Sequence, residues 1–262
     1  MSGRVAMLWR TYRRYGRRGA WALSRYYVEK VRASVSGPGR ACPICGWSGP
    51  QFHPAVYPAH GLWRRHAACP RCASLERHRA LWFAYRAFLA SCHARPRVLH
   101  LSPERCFRAL FQAHASRYVT GNYDHERADA RLDLEHLGLA DGSFDLIVAN
   151  GVLSSVRDLA KAIDNLHRVL APGGSALLCD LVKPDGVTRE CADNLMAIRR
   201  EFGGADLPRV FGPFTATLSD PRSLVAEADR ERFGIRRDDF YLIRLDGRKD
   251  TPPPSNSAPR QA

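Results

Sequence analysis

The stretch Asp141-Gly-Ser-Phe-Asp-Leu-Ile-Val-Ala-Asn150 decides the fold of this chain. A polar turn at residues 141–143 leads into an apolar run at residues 144–149, which stops at Asn150. A short apolar run after turn residues is typical of a strand buried on both faces of a parallel sheet. Ligands of such sheets bind just beyond the carboxyl ends of the strands, so Asn150 lies where a polar side chain would meet a ligand.

Predicted strands and helices alternate on both sides of this stretch. Further strands are predicted over residues 97–101, 117–121, part of 129–134, 175–179, 233–236 and 240–244, one of the last two antiparallel. Helices are predicted over residues 73–89, from Ser102 as N-cap with Pro103 in the first turn, over 156–170, and from 188 to about 202. Such alternation predicts an α/β fold with a doubly wound, mostly parallel, Rossmann-like sheet.

Length and composition suit one large domain with a small appendage, because 262 residues at 45% hydrophobic content can bury a core. The net charge is +14, but nearly all basic residues are Arg, which weakens the charge as evidence for nucleic acid. No apolar run approaches a membrane span and no signal-peptide core is visible, so we expect a cytoplasmic protein. The predicted segments are a basic aromatic arm at 1–36, a zinc ribbon at 40–75, a main domain at 76–247 with a linking helix at 74–90, and a disordered tail at 248–262.

Two CxxC pairs form the most specific motif. They comprise Cys42, Cys45, Cys69 and Cys72. Each CxxC turn aims two thiolates at one ion, and two turns complete a tetrahedral four-sulfur site that favours zinc. Four protein ligands leave no open position, so the zinc is expected to hold structure and not to catalyse. Downstream, Arg77 and Arg79 are interpreted as part of a solvated helix face.

The arm at residues 1–36 interleaves Arg with Trp and Tyr, and Gly16 and Gly19 are expected to break it into two helices. Three interpretations stay open: contact with an anionic membrane surface, which would make the protein peripheral at the membrane; contact with the phosphates of a nucleic acid; and a tail whose Arg residues are merely solvated.

Two motifs resemble those of a known family. Phe144-Asp-Leu-Ile-Val-Ala-Asn-Gly-Val-Leu153, followed by His167-Arg-Val-Leu-Ala-Pro-Gly-Gly174, resembles the methyltransferase type 11 group of S-adenosylmethionine-dependent enzymes. The CxxC pairs, Ser74-Leu-Glu-Arg-His-Arg79 and Val98-Leu-His-Leu-Ser-Pro-Glu104 resemble a subgroup in which a zinc ribbon precedes this domain. The resemblance runs from about residue 42 to residue 244.

The resemblance implies a site for S-adenosylmethionine. The methionine end would lie at the loop after the first strand, the ribose near the end of the second strand, and the adenine amino group near Asp133. The residues implied as neighbours of this cofactor are His100, Ser102, Glu104, Asn122, Asp133, Leu134 and Asn150. Asn122 stands where the family has an acidic residue, and a neutral amide should bind the ribose hydroxyls more weakly; Asp124 is an alternative.

The substrate side departs from the family. Asn150-Gly-Val-Leu-Ser-Ser-Val156 lacks a His and a Glu-His pair, and Leu207-Pro-Arg-Val-Phe-Gly212 lacks a His. No residue is therefore assigned a catalytic role. The leading hypothesis is a methyltransferase whose acceptor is a glycan, a small molecule, a protein or a nucleic acid. The rival is a degenerate methyltransferase fold with a zinc ribbon that acts as a binding module or scaffold, for nucleic acid among other partners. The oligomeric state is not predicted.

Overall fold

The computed structural model describes residues 3–57, 61–123, 128–191, 198–236 and 239–247, with side chains from residue 6 onward. The helices are α1 Gly3–Val35, α2 Glu76–Ser91, α3 Arg108–His114, α4 Leu159–Val169, α5 Leu207–Val210 and α6 Glu227–Arg232. The small strands before the main sheet are β1 Arg40–Ala41, β2 Ser48–Gly49, β3 His53–Tyr57 and β4 Leu62–Ala68. The strands of the main sheet are β5 Arg97–Leu101, β6 Arg117–Asn122, β7 Ala130–Arg131, β8 Phe144–Asn150, β9 Leu170–Lys183, β10 Arg189–Glu190, β11 Arg200–Gly203, β12 Phe214–Ser219 and β13 Phe240–Gly247.

The main sheet is mostly parallel, as the alternation of elements predicts. Its order is β10-β11-β9-β8-β5-β6-β7, and strands β5 to β9 and β11 pair in parallel. Strand β13 pairs antiparallel with the middle of β9, and β12 pairs antiparallel with β13. Because β5, β6 and β8 are parallel neighbours, their carboxyl ends meet at one edge of the sheet.

Both faces of the sheet are covered. Along β8, Ile147 packs in one apolar cluster with residues of α4, whereas Leu146 and Val148 pack in a second cluster with residues of α2 and α3. Successive side chains of a strand point to opposite faces, which is why one continuous apolar run serves both clusters. This arrangement confirms the predicted doubly wound α/β fold.

Three local predictions are wrong. Ser102 does not cap a helix: it has a φ of 49°, and α3 begins only at Arg108. The helix predicted over residues 188–202 is wrong at both ends, where β10 and β11 form instead. Pairing between these two strands outweighs the helical periodicity of the sequence. Residues 192–197 lie outside the described residues. Residues 233–236 form no strand, because Gly234 at φ 59° ends α6, and the strand beside β13 is β12 instead.

The first helix is bent where a glycine was expected to break it. Gly16 has φ 67° and ψ −164°, which separates α1 into two helical halves, whereas Gly19 lies inside the second half. Ala22, Leu23 and Ala33 are buried, and α1 packs on the β3–β4 hairpin. No helix among the described residues combines the length and apolar content of a membrane span. The predicted tail at 248–262 lies outside the described residues.

Candidate functional site

A cavity of about 540 Å³ opens at the edge of the sheet where β5, β6 and β8 end. Its wall includes Ser102 after β5, Asn122 at the end of β6, and Gly151 and Val152 after β8. Asp133 and Leu134, which follow β7, also lie on it. Four of the seven residues predicted as cofactor neighbours therefore lie on one cavity wall. The other three, His100, Glu104 and Asn150, lie outside this wall, and each takes part in buried hydrogen bonds beside it.

Ser102 takes the backbone conformation that a glycine would take without strain. Its φ of 49° lies in the left-handed region, and its amide donates to the carbonyl of Gly121, 2.7 Å away on β6. The loop after β5 therefore turns sharply even though its sequence contains no glycine. The sharp turn places Ser102 on the cavity wall and delays the start of α3.

Asp133 is held in place by its own local turn. Its Oδ1 accepts from the amide of Glu135 at 2.9 Å, and its Oδ2 lies 3.2 Å from Nδ1 of His136. Nε2 of His136 lies 2.6 Å from Nζ of Lys161, so the proton of His136 sits on Nδ1 and is donated to Asp133. The backbone bond from Glu135 outweighs burial and lowers the pKa of Asp133, so the carboxylate is charged at neutral pH.

His100 and Glu104 form a buried pair behind Ser102. His100 is fully buried; its Nε2 lies 2.9 Å from Oε2 of Glu104, and its Nδ1 lies 3.0 Å from the hydroxyl of Tyr118. Burial by itself would raise the pKa of Glu104, but the hydrogen bond and charge of His100 outweigh it, so the net pKa is lowered. The carboxylate of Glu104 accepts from Nε2–H of His100.

Asn150 is oriented from the opposite side by α2. Its Oδ1 accepts from the hydroxyl of Tyr85 at 2.6 Å, and Tyr85 is fully buried. Nδ2 of Asn150 is buried and has no hydrogen-bond partner in the part of the chain that the structure describes. The carboxylate of Glu104 lies near this group, since the side chain of Asn150 helps to lower the pKa of Glu104, so a small shift of either side chain would satisfy the donor. The sequence predicts the helix that carries Tyr85 but gives no sign of the role of its hydroxyl.

A second cavity of about 750 Å³ lies between the second CxxC turn at residues 69–72, which we call the second cysteine knuckle, and the loop after β5. It shares Ser102 and Asn122 with the first cavity, and Glu104 and His78 also line it. Nδ1 of His78 accepts from the amide of Leu75 at 3.2 Å, which leaves Nε2 as a buried donor without a hydrogen-bond partner among the described residues. Burial lowers the pKa of His78 to about 3, so the ring is neutral at pH 7.

The four cysteines of the CxxC pairs converge. All four Sγ atoms lie within 4.8 Å of one another, with 3.7 Å between Cys42 and Cys72 and 3.6 Å between Cys45 and Cys69. Four sulfurs bound to one zinc ion at ~2.3 Å sit about 3.8 Å apart at the corners of a tetrahedron. The geometry of the four thiols therefore fits a closed metal site of this size.

Arg79 is not on a solvated face. Its guanidinium is fully buried on α2 and lies 3.9 Å from the ring centre of Phe52. It donates to carbonyls on both sides of a junction: Ser74 at 2.8 Å, Ala67 at 3.1 Å, Gly234 at 3.0 Å, and Phe233. Burial lowers the pKa of Arg79 to about 10, which leaves it charged at neutral pH. This side chain joins the cysteine-bearing segment to the end of α6.

Comparison with known proteins assigns the central part of the chain. The family model described as "Methyltransferase domain" matches residues 94–178. The ubiquinone/menaquinone biosynthesis C-methyltransferase UbiE of Haemophilus ducreyi is 41% identical over 66 residues, which cover 25% of this chain and 24% of that protein. The arsenite methyltransferase of Aquipseudomonas alcaligenes is 30% identical over 148 residues, or 51% of this chain and 42% of that protein.

This chain thus spans less than half the length of either curated relative. A solved S-adenosylmethionine-dependent methyltransferase from Mesorhizobium loti has a TM-score of 0.47 at 18% identity, covering 64% of this chain and 97% of that one. By the match over residues 94–178, this part of the chain is similar to the methyltransferase family.

Proposed function

We propose that this protein transfers a methyl group from S-adenosylmethionine to an acceptor. The observation that carries the proposal is the cavity at the ends of β5, β6 and β8, inside the family domain, with Asp133 and Asn122 on its wall. When bound, S-adenosylmethionine would supply an activated methyl group on a sulfonium. The chain would bind and orient it, hold the acceptor in line and exclude water.

The first cavity suits the adenosine end. The ionised Asp133 would accept from the adenine amino group, and the backbone amide of Leu134 beside it would donate to the ring. Asn122 would meet the ribose hydroxyls through a neutral amide, which binds them less strongly than a carboxylate. The pKa of Asp133 is already lowered by its own turn, so the carboxylate is ready to accept before any ligand arrives.

The second cavity suits the amino-acid end. It offers the Glu104 carboxylate, which Nε2 of His78 faces at 3.9 Å, to an ammonium group. Arg105 and Arg108 on the same wall add positive charge. Because the two cavities share Ser102 and Asn122, a molecule with a nucleoside at one end and an amino acid at the other would span both.

The acceptor side offers little acid–base chemistry. Gly151, Val152, Ser155 and Val156 line this part of the first cavity, and none of them is a general base; Glu135 and His136 line the same cavity on the side of Asp133. Positioning alone can supply much of the rate of methyl transfer to a good nucleophile. A glycan hydroxyl or a small molecule remains our proposed acceptor, and a hydroxyl would need a base from the acceptor's own surroundings.

We further propose that Cys42, Cys45, Cys69 and Cys72 bind one structural zinc ion, which the spacing of the four sulfur atoms supports. Metal analysis of freshly purified, reduced protein should find about one zinc per chain. Changing Cys69 and Cys72 to Ser should remove it. A chain that retains its fold and contains no metal would contradict the proposal.

Calorimetric titration of the zinc-loaded chain with S-adenosylmethionine and S-adenosylhomocysteine tests the cofactor site. We expect micromolar binding that weakens at least about tenfold in Asp133→Asn, since the adenine amino group would lose a charged acceptor. Asp164→Asn, on the exposed face of α4, is the matched control and should bind normally. If folded protein binds neither molecule at millimolar concentration, the proposed activity is excluded and the scaffold alternative takes its place.

That alternative has a distinct signature. A nucleic-acid scaffold would bind mixed oligonucleotides tightly, and its affinity would fall steeply as salt concentration rises. Weak oligonucleotide binding at moderate salt would exclude a scaffold for nucleic acid.

A further inference from the structure

The first helix forms a basic arm, which we define as residues 3–35. The backbone at Gly16 turns so far that the hydroxyl of Tyr27 reaches Sδ of Met7 at 3.7 Å. The two halves of the arm, on either side of Gly16, therefore lie against each other. Thr11 is buried as well, although neighbouring residues of the first half are exposed. The arm is a bent, folded-back unit and not a single straight rod.

One face of the arm packs on the β3–β4 hairpin. Ala22, Leu23 and Ala33 are buried on this face, and so is the carboxylate of Glu29. Glu29 is the only acidic residue among residues 1–36, which also hold eight Arg and one Lys. Its Oε1 lies 3.2 Å from both Arg32 and Arg65. The one negative charge of the arm is thus neutralised internally, and the remaining charge is positive.

The opposite face carries an exposed apolar stripe. Trp21, Val28, Val31 and Val35 are separated by seven, three and four residues, so they share one side of the helix. Trp21 is 54% exposed, Val31 60% and Val35 75%. Trp9 and Tyr12 in the first half are also exposed and stack on each other with ring centres 5.9 Å apart. Arg18, Arg25 and Arg32 recur at seven-residue intervals and follow one edge of the stripe; Arg25 lies over the ring of Trp63 on β4, and Arg32 pairs with Glu29.

We propose that the basic arm docks on an anionic lipid bilayer, with the apolar stripe at the acyl boundary and the Arg side chains at the headgroups. A helix with aromatic and aliphatic residues on one face and Arg beside them binds lipid surfaces in two ways. Its apolar side chains are buried at the acyl boundary, and its Arg side chains are attracted to anionic headgroups. The arm's excess positive charge is complementary to anionic headgroups and repels a second copy of itself. A nucleic-acid duplex would satisfy the charges, but it offers no apolar phase to three valines and a tryptophan.

Vesicle co-sedimentation of the zinc-loaded full chain tests this inference, which is independent of the proposed methyltransferase activity. Vesicles of phosphatidylcholine alone are compared with vesicles that contain 30% phosphatidylglycerol. We expect at least tenfold tighter binding to the anionic vesicles, and at least a tenfold loss when NaCl is raised from 0.1 to 0.5 M. Binding that is equal on both vesicle types would overturn the proposal.

The apolar stripe is tested separately. Trp21→Ser/Val28→Ser/Val31→Ser should weaken binding to anionic vesicles at least thirtyfold at 0.1 M NaCl, because the variant keeps every charge but loses the inserted surface. The control is Val187→Ser/Leu224→Ser, which removes two similarly exposed apolar side chains outside the arm and should bind normally. Far-UV circular dichroism checks that α1 is retained.

Two other results would also overturn the inference. One is vesicle binding that the stripe variant leaves unchanged while oligonucleotides compete for the arm, which would identify the partner as nucleic acid. The other is a dimer in light scattering that the stripe variant dissociates, which would identify a second copy of the chain as the occupant of the stripe.

Discussion

Ala73 takes, in the second cysteine knuckle, the backbone conformation that Gly46 takes in the first. Their φ angles are 59° and 69°, and both amides close the same turn. The amide of Gly46 donates to Cys42 at 3.0 Å, and that of Ala73 donates to Cys69 at 2.9 Å. The two knuckles are therefore copies of one local structure, but only the first has the residue that adopts this conformation without strain.

Replacing Ala73 by Gly and replacing Gly46 by Ala should change the free energy of unfolding in opposite directions. We expect Ala73→Gly to raise the free energy of unfolding of the zinc-loaded protein by about 0.5–1 kcal/mol, and Gly46→Ala to lower it by about 1 kcal/mol. A Cβ at Gly46 would meet no atom within 4 Å, so the cost there is conformational and not steric. Urea unfolding measures both changes, and shifts of the same sign would contradict the shared conformation.

Removing the guanidinium of Arg79 should destabilise the protein strongly. In Arg79→Met, the buried carbonyls of Ser74, Ala67 and Gly234 lose their donor. We expect a loss of about 3–5 kcal/mol in the free energy of unfolding. Arg86→Met, on the exposed side of α2, should cost less than about 0.5 kcal/mol. A loss below about 1 kcal/mol at Arg79 would show that this junction is not held by hydrogen bonds.

Asp180 should make stability depend on pH. It is buried at the end of β9, and neither oxygen makes a hydrogen bond of normal geometry within the described residues. Burial raises its pKa from 3.8 to about 7, which the nearby Ser154 offsets only in part. Between those two pH values the unfolded chain releases a proton that the folded protein keeps. The contribution of Asp180 to the free energy of unfolding therefore falls as pH rises from about 4 to 7, and it is constant above pH 7.

The variant Asp180→Asn removes this titration. We expect it to raise the free energy of unfolding by about 2–4 kcal/mol at pH 8 and to change it little at pH 4. Urea unfolding of both proteins at the two pH values provides the measurement. If the variant is instead less stable at pH 8, the charged carboxylate must have a stabilising partner.

Tyr85 should control cofactor affinity through Asn150. In Tyr85→Phe, Oδ1 of Asn150 loses its 2.6 Å hydrogen bond, so the amide is free to rotate away from the cavity edge. We expect binding of S-adenosylhomocysteine to weaken about three- to tenfold in calorimetry, with a stability loss of about 1 kcal/mol. Leu89→Ala, elsewhere on α2, should lose more stability but keep its affinity. Equal affinity losses in both variants would mean that binding merely follows stability.

Local patterns were enough to predict several elements. The run at residues 97–101 is β5, and the apolar run after Ser143 is β8, because strands buried on both faces are continuously apolar. The CxxC spacing likewise predicted four convergent thiols, since each pair is brought together by its own short turn. These features depend on residues that are near one another in the chain.

Other features depended on partners far along the chain, and those predictions were wrong. Residues 200–202 were predicted to be helical but belong to β11, because β9 offers backbone hydrogen bonds to this strand. Ser102 and Pro103 read as a helix start, yet the pairing of Ser102 with Gly121 turns the chain first. Arg79 was interpreted as solvated, although its guanidinium donates to carbonyls that lie 5 and 155 residues away along the chain.

The sequence by itself determined the α/β class and the cysteine cluster, and the family resemblance pointed to Ser102, Asn122, Asp133 and Leu134 at strand ends. Periodicity and spacing are local, and parallel strands bring their ends together. Only the tertiary structure decided which polar groups are buried together, such as Tyr85 with Asn150 and Arg79 with Gly234. The physical reason is that a hydrogen bond between distant segments is selected by the cost of leaving its partners unpaired in the folded interior, and no local pattern records that cost.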